Sequence, residues 1–133
     1  MRILALDWGE VRIGGAVSDP TGMIAFPLEK FISAKNAIEE IKKIESELGI
    51  EKIVIGLPKN LSGASGISAD KVNEFVQKLK KQVTSEIELL DERFSSVEAE
   101  KKLASAGINE EKQRTIKDNI AAQIILQSYL DKK

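Results

Sequence analysis

Three groups of acidic residues stand at positions where a carboxylate is costly unless something compensates its charge. Asp7 closes an apolar run, and Asp91 and Glu92 follow a later one. Asp118 belongs to a helical stripe of small and apolar residues, along which a helix is expected to meet a sheet. A buried carboxylate without a partner is unfavourable, so each group either has a structural partner or takes part in chemistry.

Each group also has a structural interpretation. Asp7 could cap the turn that begins at Trp8, because strand-to-turn aspartates are common. The acidic pair after the later run could begin a helix, whose macrodipole favours negative charge. Asp118 could be a partly exposed residue paired with Lys117 or Arg114.

Taken together, the three groups favour chemistry. The functional crevice of an α/β sheet lies at strand ends; two of the groups close strands, and the third faces the sheet from a helix. Converging carboxylates repel one another unless a cation lies between them, and Mg²⁺ or Mn²⁺ suits such a set of oxygen ligands. Two such ions about 4 Å apart, activating water and stabilising the leaving oxygen, form the arrangement that cleaves phosphodiesters.

The composition excludes other catalytic classes. The 133 residues include no Cys and no His. Disulfides, thiolate nucleophiles, histidine zinc sites and the Ser-His-Asp triad are therefore ruled out. Catalysis must rely on carboxylates, Lys, Ser, Tyr or a metal held by oxygen atoms.

Charge and hydropathy say less about partners. Twenty Lys and Arg against 21 Asp and Glu give a net charge of −1, which counts mildly against a nucleic-acid binder. It does not exclude one, because bound metal restores the charge that a carboxylate cluster subtracts. The first apolar run is too short for a signal peptide, and no run approaches 18 residues. We expect a soluble cytoplasmic protein without membrane contact.

The periodicity predicts the order β-β-β-α-β-α-β-α-α. The predicted strands cover 2–6, 11–18, 23–32, 52–56 and 87–90, and the predicted helices cover 34–48, 69–83, 95–106 and 110–130. Pro27 argues for an edge strand, and Gly49 should end the first helix. Consecutive early strands suggest antiparallel pairing, and strands separated by helices suggest parallel crossovers. Neither a dinucleotide-binding G-x-G-x-x-G after the first strand nor a P-loop is present.

Four motifs together resemble one family. They begin at Leu4-Ala5-Leu6-Asp7-Trp8-Gly9, Ile55-Gly56-Leu57-Pro58, Asp91-Glu92-Arg93-Phe94-Ser95 and Lys117-Asp118-Asn119-Ile120-Ala121-Ala122. Their order and spacing resemble the YqgF family, also called the RuvX-type Holliday junction resolvases or pre-16S rRNA nucleases. The first motif alone is weakly specific, whereas the four together are highly specific.

The resemblance implies one RNase H-like nuclease domain over residues 1–133. Its α/β fold would have a five-stranded mixed sheet in the order 3-2-1-4-5, flanked by about four helices. It also implies that Asp7, Glu92 and Asp118 are the catalytic residues and hold Mg²⁺ or Mn²⁺. Related RuvC-type resolvases carry an acid on the fourth strand, which here ends at Gly56 without one.

The choice between Asp91 and Glu92 rests on reach. The fifth strand should lie two strand spacings, about 10 Å, from the first. Gly56 should leave room between them, and Glu is longer than Asp by one methylene, so we prefer Glu92. Gly15 stands where the family usually has an aliphatic residue, which would loosen the second strand.

Contacts to nucleic acid are expected from Arg12, Arg93, Lys59 and Asn60. The arginines would bind phosphates, with ordinary salt bridges as the alternative. The other two lie in a loop that leads into a helix N-terminus, where phosphate is favoured, although a plain solvated loop is equally consistent. Trp8 is expected in the core, with stacking on a base as the alternative. Solvated helix surface is expected for Lys78, Lys80 and Lys81.

The leading hypothesis is a metal-dependent nuclease acting on structured nucleic acid. The family name implies maturation of the 5′ end of pre-16S rRNA, a step of ribosome biogenesis. Holliday junction cleavage in recombination and repair is the alternative with the same chemistry; it needs two active sites, so a stable homodimer rather than a monomer would favour it. A non-catalytic nucleic-acid-binding module is a further alternative. Phosphotransfer as in actin-like ATPases would need two such domains.

Overall fold

The computed structural model describes the backbone of residues 1–57, 67–91 and 117–132, and the side chains of all of these except 67–69, 91, 117 and 118. The elements in chain order are β1 Arg2–Asp7, β2 Arg12–Ser18, β3 Ala25–Pro27, β4 Ile32–Ser33, a 3₁₀ turn Ala34–Asn36, α1 Ala37–Leu48, β5 Ile50–Leu57, α2 Ile67–Gln82, β6 Glu86–Asp91 and α3 Lys117–Asp131. The helix predicted at 95–106 lies outside the described residues.

The sheet has the order β3-β2-β1-β5-β6, with β4 also pairing with β2. Here β5 and β6 are the predicted fourth and fifth strands, so the predicted order 3-2-1-4-5 is confirmed. The pairs β1–β2 and β2–β3 are antiparallel, whereas β1–β5 and β5–β6 are parallel. This is the mixed sheet that the spacing of the elements predicted.

The prediction of five strands was wrong, because the strand predicted at 23–32 divides in two. Leu28 donates its N–H to the Gly15 oxygen at 3.0 Å, and the chain then leaves the sheet edge. It returns where Ile32 pairs with Ile13. The Leu28 side chain occupies the space that Gly15 leaves, since a Cβ built at Gly15 would lie 2.4 Å from Leu28 Cδ1. The missing side chain in β2 is thus replaced by Leu28.

The predicted edge position of the strand with Pro27 and the predicted helix end at Gly49 are confirmed. Pro27 lies in β3, at one end of the strand order, where its missing N–H removes no bond from an interior ladder. Gly49 follows α1 with φ of 67° and donates its N–H to the Glu45 oxygen. A left-handed residue of this kind ends a helix and satisfies one of its last carbonyls.

The central strand β1 is buried on both faces. Leu4 and Leu6 pack against residues of α1 and α2, whereas Ile3 and Ala5 pack against α3. All four have no exposed surface. Full burial of an aliphatic side chain such as Leu or Ile contributes about 1.5–3 kcal/mol, so this strand anchors both helical layers.

Helix α3 runs antiparallel to β1 and β5. Near its C-terminus, the Tyr129 ring lies 5.2 Å from Lys52 Nζ at the start of β5. One turn earlier in α3, Ile125 fills the space beside Gly56, close to the end of β5. The N-terminal turn of α3 therefore lies toward the sheet end at which β1 finishes with Asp7. Within the described ranges, no helix has the length and apolar character needed to cross a membrane.

Candidate active site

Asp7 ends β1 on the face of the sheet that α3 covers. Side chains alternate along a strand, and Ile3 and Ala5 place the odd-numbered positions of β1 on that face. Asp7 pairs with Gly14 of β2 on one side and with Gly56 of β5 on the other. The half-buried Asp7 is thus flanked by two residues that have no side chain.

The turn after Asp7 is tight and depends on glycine. Trp8 donates its N–H to the Gly56 oxygen at 3.4 Å. A Cβ built at Gly9 would lie 2.3 Å from the backbone oxygen of Arg12, which is closer than non-bonded atoms approach. Trp8 itself is partly buried against the core of α1 and α2, which confirms the predicted core position. The turn therefore directs Trp8 inward on one face and Asp7 toward the other.

The room expected above Gly56 is already filled. A Cβ built at Gly56 would lie 2.6 Å from Ile125 Cδ1, so α3 packs directly onto this glycine. The expectation that Gly56 leaves open space between the first and fifth strands was wrong, because the helix uses that space. The close approach of α3 to the sheet depends on this glycine and on the buried Ala122, whereas Ala121 is exposed.

The register of β6 bears on the choice between Asp91, its last residue, and Glu92, which follows it. Leu90 pairs with Gly56 and contributes to the core beneath α3. Position 91 pairs with Leu57, whose side chain packs against the core on the opposite face. Position 91 therefore belongs to the face of the sheet that lies away from Asp7. Glu92 lies outside the described residues.

The first turn of α3 is attached to the strand beside β1. Asn119 accepts the N–H of Gly15 at 2.8 Å and donates to the oxygen of Leu28 at 2.7 Å. Gly15 is the neighbour of Gly14, the partner of Asp7. Asp118 precedes Asn119 in the same turn, so its backbone lies beside the strand segment that pairs with Asp7. The side chain of Asp118 is not among those described.

Three buried amides on α3 were not predicted from the sequence. Asn119, Gln123 and Gln127 have no exposed surface. Gln123 donates to the oxygen of Ala25 at 3.2 Å, and Gln127 accepts the N–H of Ala25 at 2.9 Å. Their spacing of four places them on one face of the helix, and each stands three residues before a buried apolar residue. That regular polar row beside an apolar row is the signal that could have revealed them.

The residues predicted to contact nucleic acid fall in two groups. Arg12 is exposed at the start of β2, and its guanidinium lies 5.3 Å from the Phe31 ring centre. Arg12 belongs to the even-numbered positions of β2, which alternate with the core residue Ile13 and so project on the face of Asp7. The predictions for Lys59, Asn60 and Arg93 fall on residues outside the described ranges.

The donor chemistry at this end of the sheet fits a hard divalent cation. Among the residues whose side chains are described, which exclude Asp91 and Asp118, no three carboxylates form a cluster that could hold a metal. Of the predicted ligands, Asp7 is described completely, Asp118 by its backbone, and Glu92 lies in the undescribed part. The carboxylate of Asp7 offers the oxygen ligands that Mg²⁺ and Mn²⁺ prefer. The two residues that pair with it in the strand register, Gly14 and Gly56, carry no side chain.

Known proteins match this chain over almost its whole length. The family model described as RuvX, Holliday junction resolvase, matches residues 1–132. Proteins from Halothermothrix orenii and Clostridium tetani, both named "Putative pre-16S rRNA nuclease", are 40% and 45% identical over 133 residues. Each alignment covers 98% of this chain and at least 95% of the relative. A relative of the same name from Clostridioides difficile is 42% identical over 134 residues.

A solved structure shares the fold. The match to the crystal structure of fowlpox virus resolvase with its substrate Holliday junction DNA covers 99% of this chain and 98% of the resolvase, with 17% identity and a TM-score of 0.55. A further crystal structure of the fowlpox virus Holliday junction resolvase gives the same TM-score at 15% identity. This likeness confirms the RNase H-like fold. The family model and the relatives span almost the whole chain, and the chain therefore belongs to the RuvX family of Holliday junction resolvases.

Proposed function

We propose that this protein is a metal-dependent nuclease that cleaves phosphodiester bonds at the end of the sheet where Asp7 lies. One observation carries the proposal: Asp7 lies between two glycines, and the first turn of α3, with Asp118, is hydrogen-bonded to the adjacent segment of β2. Two of the three acidic groups that the sequence singled out thus belong to neighbouring backbone segments.

Asp7, Glu92 and Asp118 would hold Mg²⁺ or Mn²⁺ in this proposal. When bound, such ions supply an activated water and compensate the charge that develops on the leaving oxygen. The chain's own contribution is to bring the carboxylates together and to orient them. Without His or Cys, any metal at this site must be held by oxygen donors.

Glu92 is preferred to Asp91 as the third ligand. Position 91 shares a row with Leu57, which packs on the face away from Asp7. Leu90, Gly56 and Asp7 pair with one another across the three strands and belong to the face of the sheet that α3 covers. Alternation of side chains along a strand therefore argues against Asp91 and supports its neighbour.

Nucleic acid would reach the site along the surface that carries Arg12. This residue is exposed and belongs to the face of Asp7, so its guanidinium can contact a phosphate next to the one that is cleaved. We propose the same kind of contact for Lys59, Asn60 and Arg93. Contacts of this kind hold the strand in register without reading its sequence.

Processing of the 5′ end of pre-16S rRNA is the proposed reaction, in keeping with the names of the relatives at 40–45% identity. Holliday junction cleavage is the second candidate, favoured by the family description and by the fold shared with a resolvase that binds such DNA. The two differ in what they require of the assembly, because a junction needs two strands cut and thus two active sites. The cytoplasmic location of the protein and its oligomeric state, monomer or homodimer, stay predictions.

A cleavage assay with both substrates tests the proposal. Purified protein is incubated with pre-16S rRNA carrying its 5′ extension and with a four-way DNA junction, each with Mg²⁺, Mn²⁺ or EDTA. We expect cleavage with either metal, preferentially of the RNA, and none with EDTA. A preference for the junction, together with a dimer in light scattering, would favour the second candidate.

The matched variants are Glu92→Gln and Asp91→Asn, which remove one negative charge from adjacent residues. We expect Glu92→Gln to abolish cleavage and Asp91→Asn to retain it. Binding of nucleic acid without cleavage of either substrate under any metal condition would contradict the nuclease and support the non-catalytic binding module.

A further inference from the structure

Buried amide side chains of α3 form hydrogen bonds with the backbone at the β3 edge of the sheet. Edge strands expose N–H and C=O groups that have no strand to pair with. Here the N–H and the oxygen of Ala25 in β3 are bound by Gln127 and Gln123, and Gln127 also donates to the oxygen of Met23 at 3.0 Å. Side chains of α3 thus form hydrogen bonds of the kind that a further strand would otherwise supply.

Asn119 differs from the two glutamines in what it joins. It binds Gly15 within β2 and Leu28 just after β3, whereas both glutamines bind the segment from Met23 to Ala25. Gly15 lies further inside the sheet and next to the residue that pairs with Asp7. Asn119 is therefore the amide that connects α3 to the strand beside the proposed catalytic carboxylate.

We infer that Asn119 is a positioning residue that fixes Asp118 relative to Asp7, and that the protein's affinity for Mn²⁺ depends on it. This inference rests on the proposed function, because it takes Asp7 and Asp118 as metal ligands. The connection has only short links: Asp118 adjoins Asn119, Asn119 binds Gly15, and Gly15 adjoins the partner of Asp7.

Two hydrogen bonds from one amide restrain the helix in two directions. The Oδ1 bond at 2.8 Å points to a backbone donor in β2, and the Nδ2 bond at 2.7 Å points to a backbone acceptor beyond β3. Hydrogen bonds are directional, so the pair restrains both the rotation of α3 and its distance from β2. Apolar packing alone would let the first turn of a helix shift by a fraction of an ångström more readily than this bridge does. Ligands that must share a metal tolerate an error of only about 0.5 Å.

Gln127 provides a control on the same helix. It is fully buried, as Asn119 is, and also binds one backbone donor and one backbone acceptor. It lies eight residues further along α3, about 12 Å away from Asn119. Gln123 is less well matched, because its Oε1 has no hydrogen-bond partner within the described part of the chain.

The test compares Asn119→Ala with Gln127→Ala in the full-length protein. Thermal unfolding without metal measures stability, and calorimetric titration with Mn²⁺ measures affinity without any substrate. We expect both variants to lower the Tm, because each leaves buried backbone groups without partners. Only Asn119→Ala should raise the Kd for Mn²⁺, by about 10- to 100-fold, the usual effect of losing a group that orients a metal ligand.

Asp7→Asn separates failure of this inference from failure of the proposed function. If Asp7→Asn loses Mn²⁺ binding while the two amide variants bind it equally, the metal site stands and the positioning role is overturned. If Asp7→Asn binds Mn²⁺ as tightly as the unchanged protein, the proposed site and the inference both fail.

Should Asn119→Ala not fold, the pair Asn119→Gln and Gln127→Asn keeps the amides and changes their length by one methylene. The positioning role predicts weaker Mn²⁺ binding for the first of these variants and unchanged binding for the second. Equal Kd values for the two would overturn it.

Discussion

Asp7 and Asp19 are two aspartates that each lie at the end of a strand or just after it and precede a turn containing glycine, yet their surroundings in the structure differ. Asp7 is the last residue of β1, and Asp19 directly follows β2. Because these strands are antiparallel, the two residues lie at opposite ends of the sheet. In the sequence, both have the pattern of a turn aspartate.

The carboxylate of Asp19 is bound within its own turn. Its Oδ1 accepts the N–H groups of Met23 and Ile24, both at 2.8 Å. Its Oδ2 accepts the N–H of Thr21 at 3.2 Å and also the hydroxyl of that residue. The N–H of Ile24, then the hydroxyl of Thr21, hold the pKa of Asp19 well below its usual value of 3.8. Asp19 is therefore a structural residue that closes the connection from β2 to β3.

The turn after Asp7 is built from backbone contacts. The N–H of Trp8 goes to the oxygen of Gly56, and the backbone of Gly9 packs against the oxygen of Arg12. Around Asp7 the register places Gly14 and Gly56, and the first turn of α3 is bound to the same region of β2. The comparison teaches that two carboxylates with the same turn pattern in the sequence can lie in different surroundings in the fold.

The largest expected difference between the two residues is in cleavage. Asp7→Asn should lose more than about 100-fold in cleavage rate, since even groups that only orient a metal ligand contribute about 10- to 100-fold. Asp19→Asn should cleave at nearly the rate of the unchanged protein. Single-turnover rates with saturating Mn²⁺ measure both.

Thermal unfolding of the same two variants, measured without metal, separates loss of cleavage from loss of folding. Asp7→Asn should stay folded with an equal or higher Tm, because removal of one carboxylate relieves repulsion among the three. Asp19→Asn should have a lower Tm. Full cleavage by Asp7→Asn would end the nuclease assignment for this end of the sheet.

The two turns should also differ in their tolerance of a methyl group. Gly9→Ala places a Cβ against a backbone oxygen that cannot rotate away, and we expect a loss of about 2 kcal/mol in the free energy of unfolding, together with slower cleavage. Gly22, in the turn after Asp19, has φ of 75°, so Gly22→Ala should cost about 1 kcal/mol without affecting cleavage. Urea denaturation measures the free energies, and equal cleavage by the two variants would contradict the distinction.

Acid should reveal the structural role of Asp19. A depressed pKa in the folded state means that Asp19 stabilises the fold when ionised. This contribution is present above about pH 4 and is lost as the pH falls through the folded-state pKa. The difference in Tm between the unchanged protein and Asp19→Asn should therefore shrink as the pH falls from about 6 toward about 2. A difference that stays constant over that interval would show that hydrogen-bond geometry alone, and not ionisation, accounts for the effect.

The smallest expected effects concern two cationic side chains on different elements, Arg12 of β2 and Lys78 of α2. Arg12→Ala should weaken binding of nucleic acid in EDTA and reduce the slope of log affinity against log salt by about 1, as for one lost phosphate contact. Lys78→Ala removes an exposed pair with Glu74 at 3.0 Å on α2 and should change neither quantity. Fluorescence anisotropy at several salt concentrations distinguishes them, and equal salt slopes for the two variants would remove Arg12 from the proposed binding surface.

Apart from the division of the third strand, the order and type of the described elements could be predicted because they depend on local patterns. Alternating apolar residues, the turn at residues 19–22 and the glycine after α1 each determine backbone geometry within a few residues. The spacing of strands and helices then limits the topology to antiparallel pairs followed by parallel crossovers. The absence of His and Cys likewise restricts the chemistry through composition alone.

What the sequence did not reveal depends on contacts between distant segments. Leu28 fills the space of Gly15, Ile125 fills that of Gly56, and Asn119 binds Gly15 of β2, which precedes it by 104 positions in the chain. No local pattern predicts which side chain will pack against a given glycine, because that depends on how distant segments such as α3 cross the sheet. The sequence by itself thus determined the elements and the types of residue able to do chemistry. Only the tertiary structure decided that the carboxylate of Asp19 is hydrogen-bonded within its own turn, and that Asp7 lies between two glycines beside the first turn of α3.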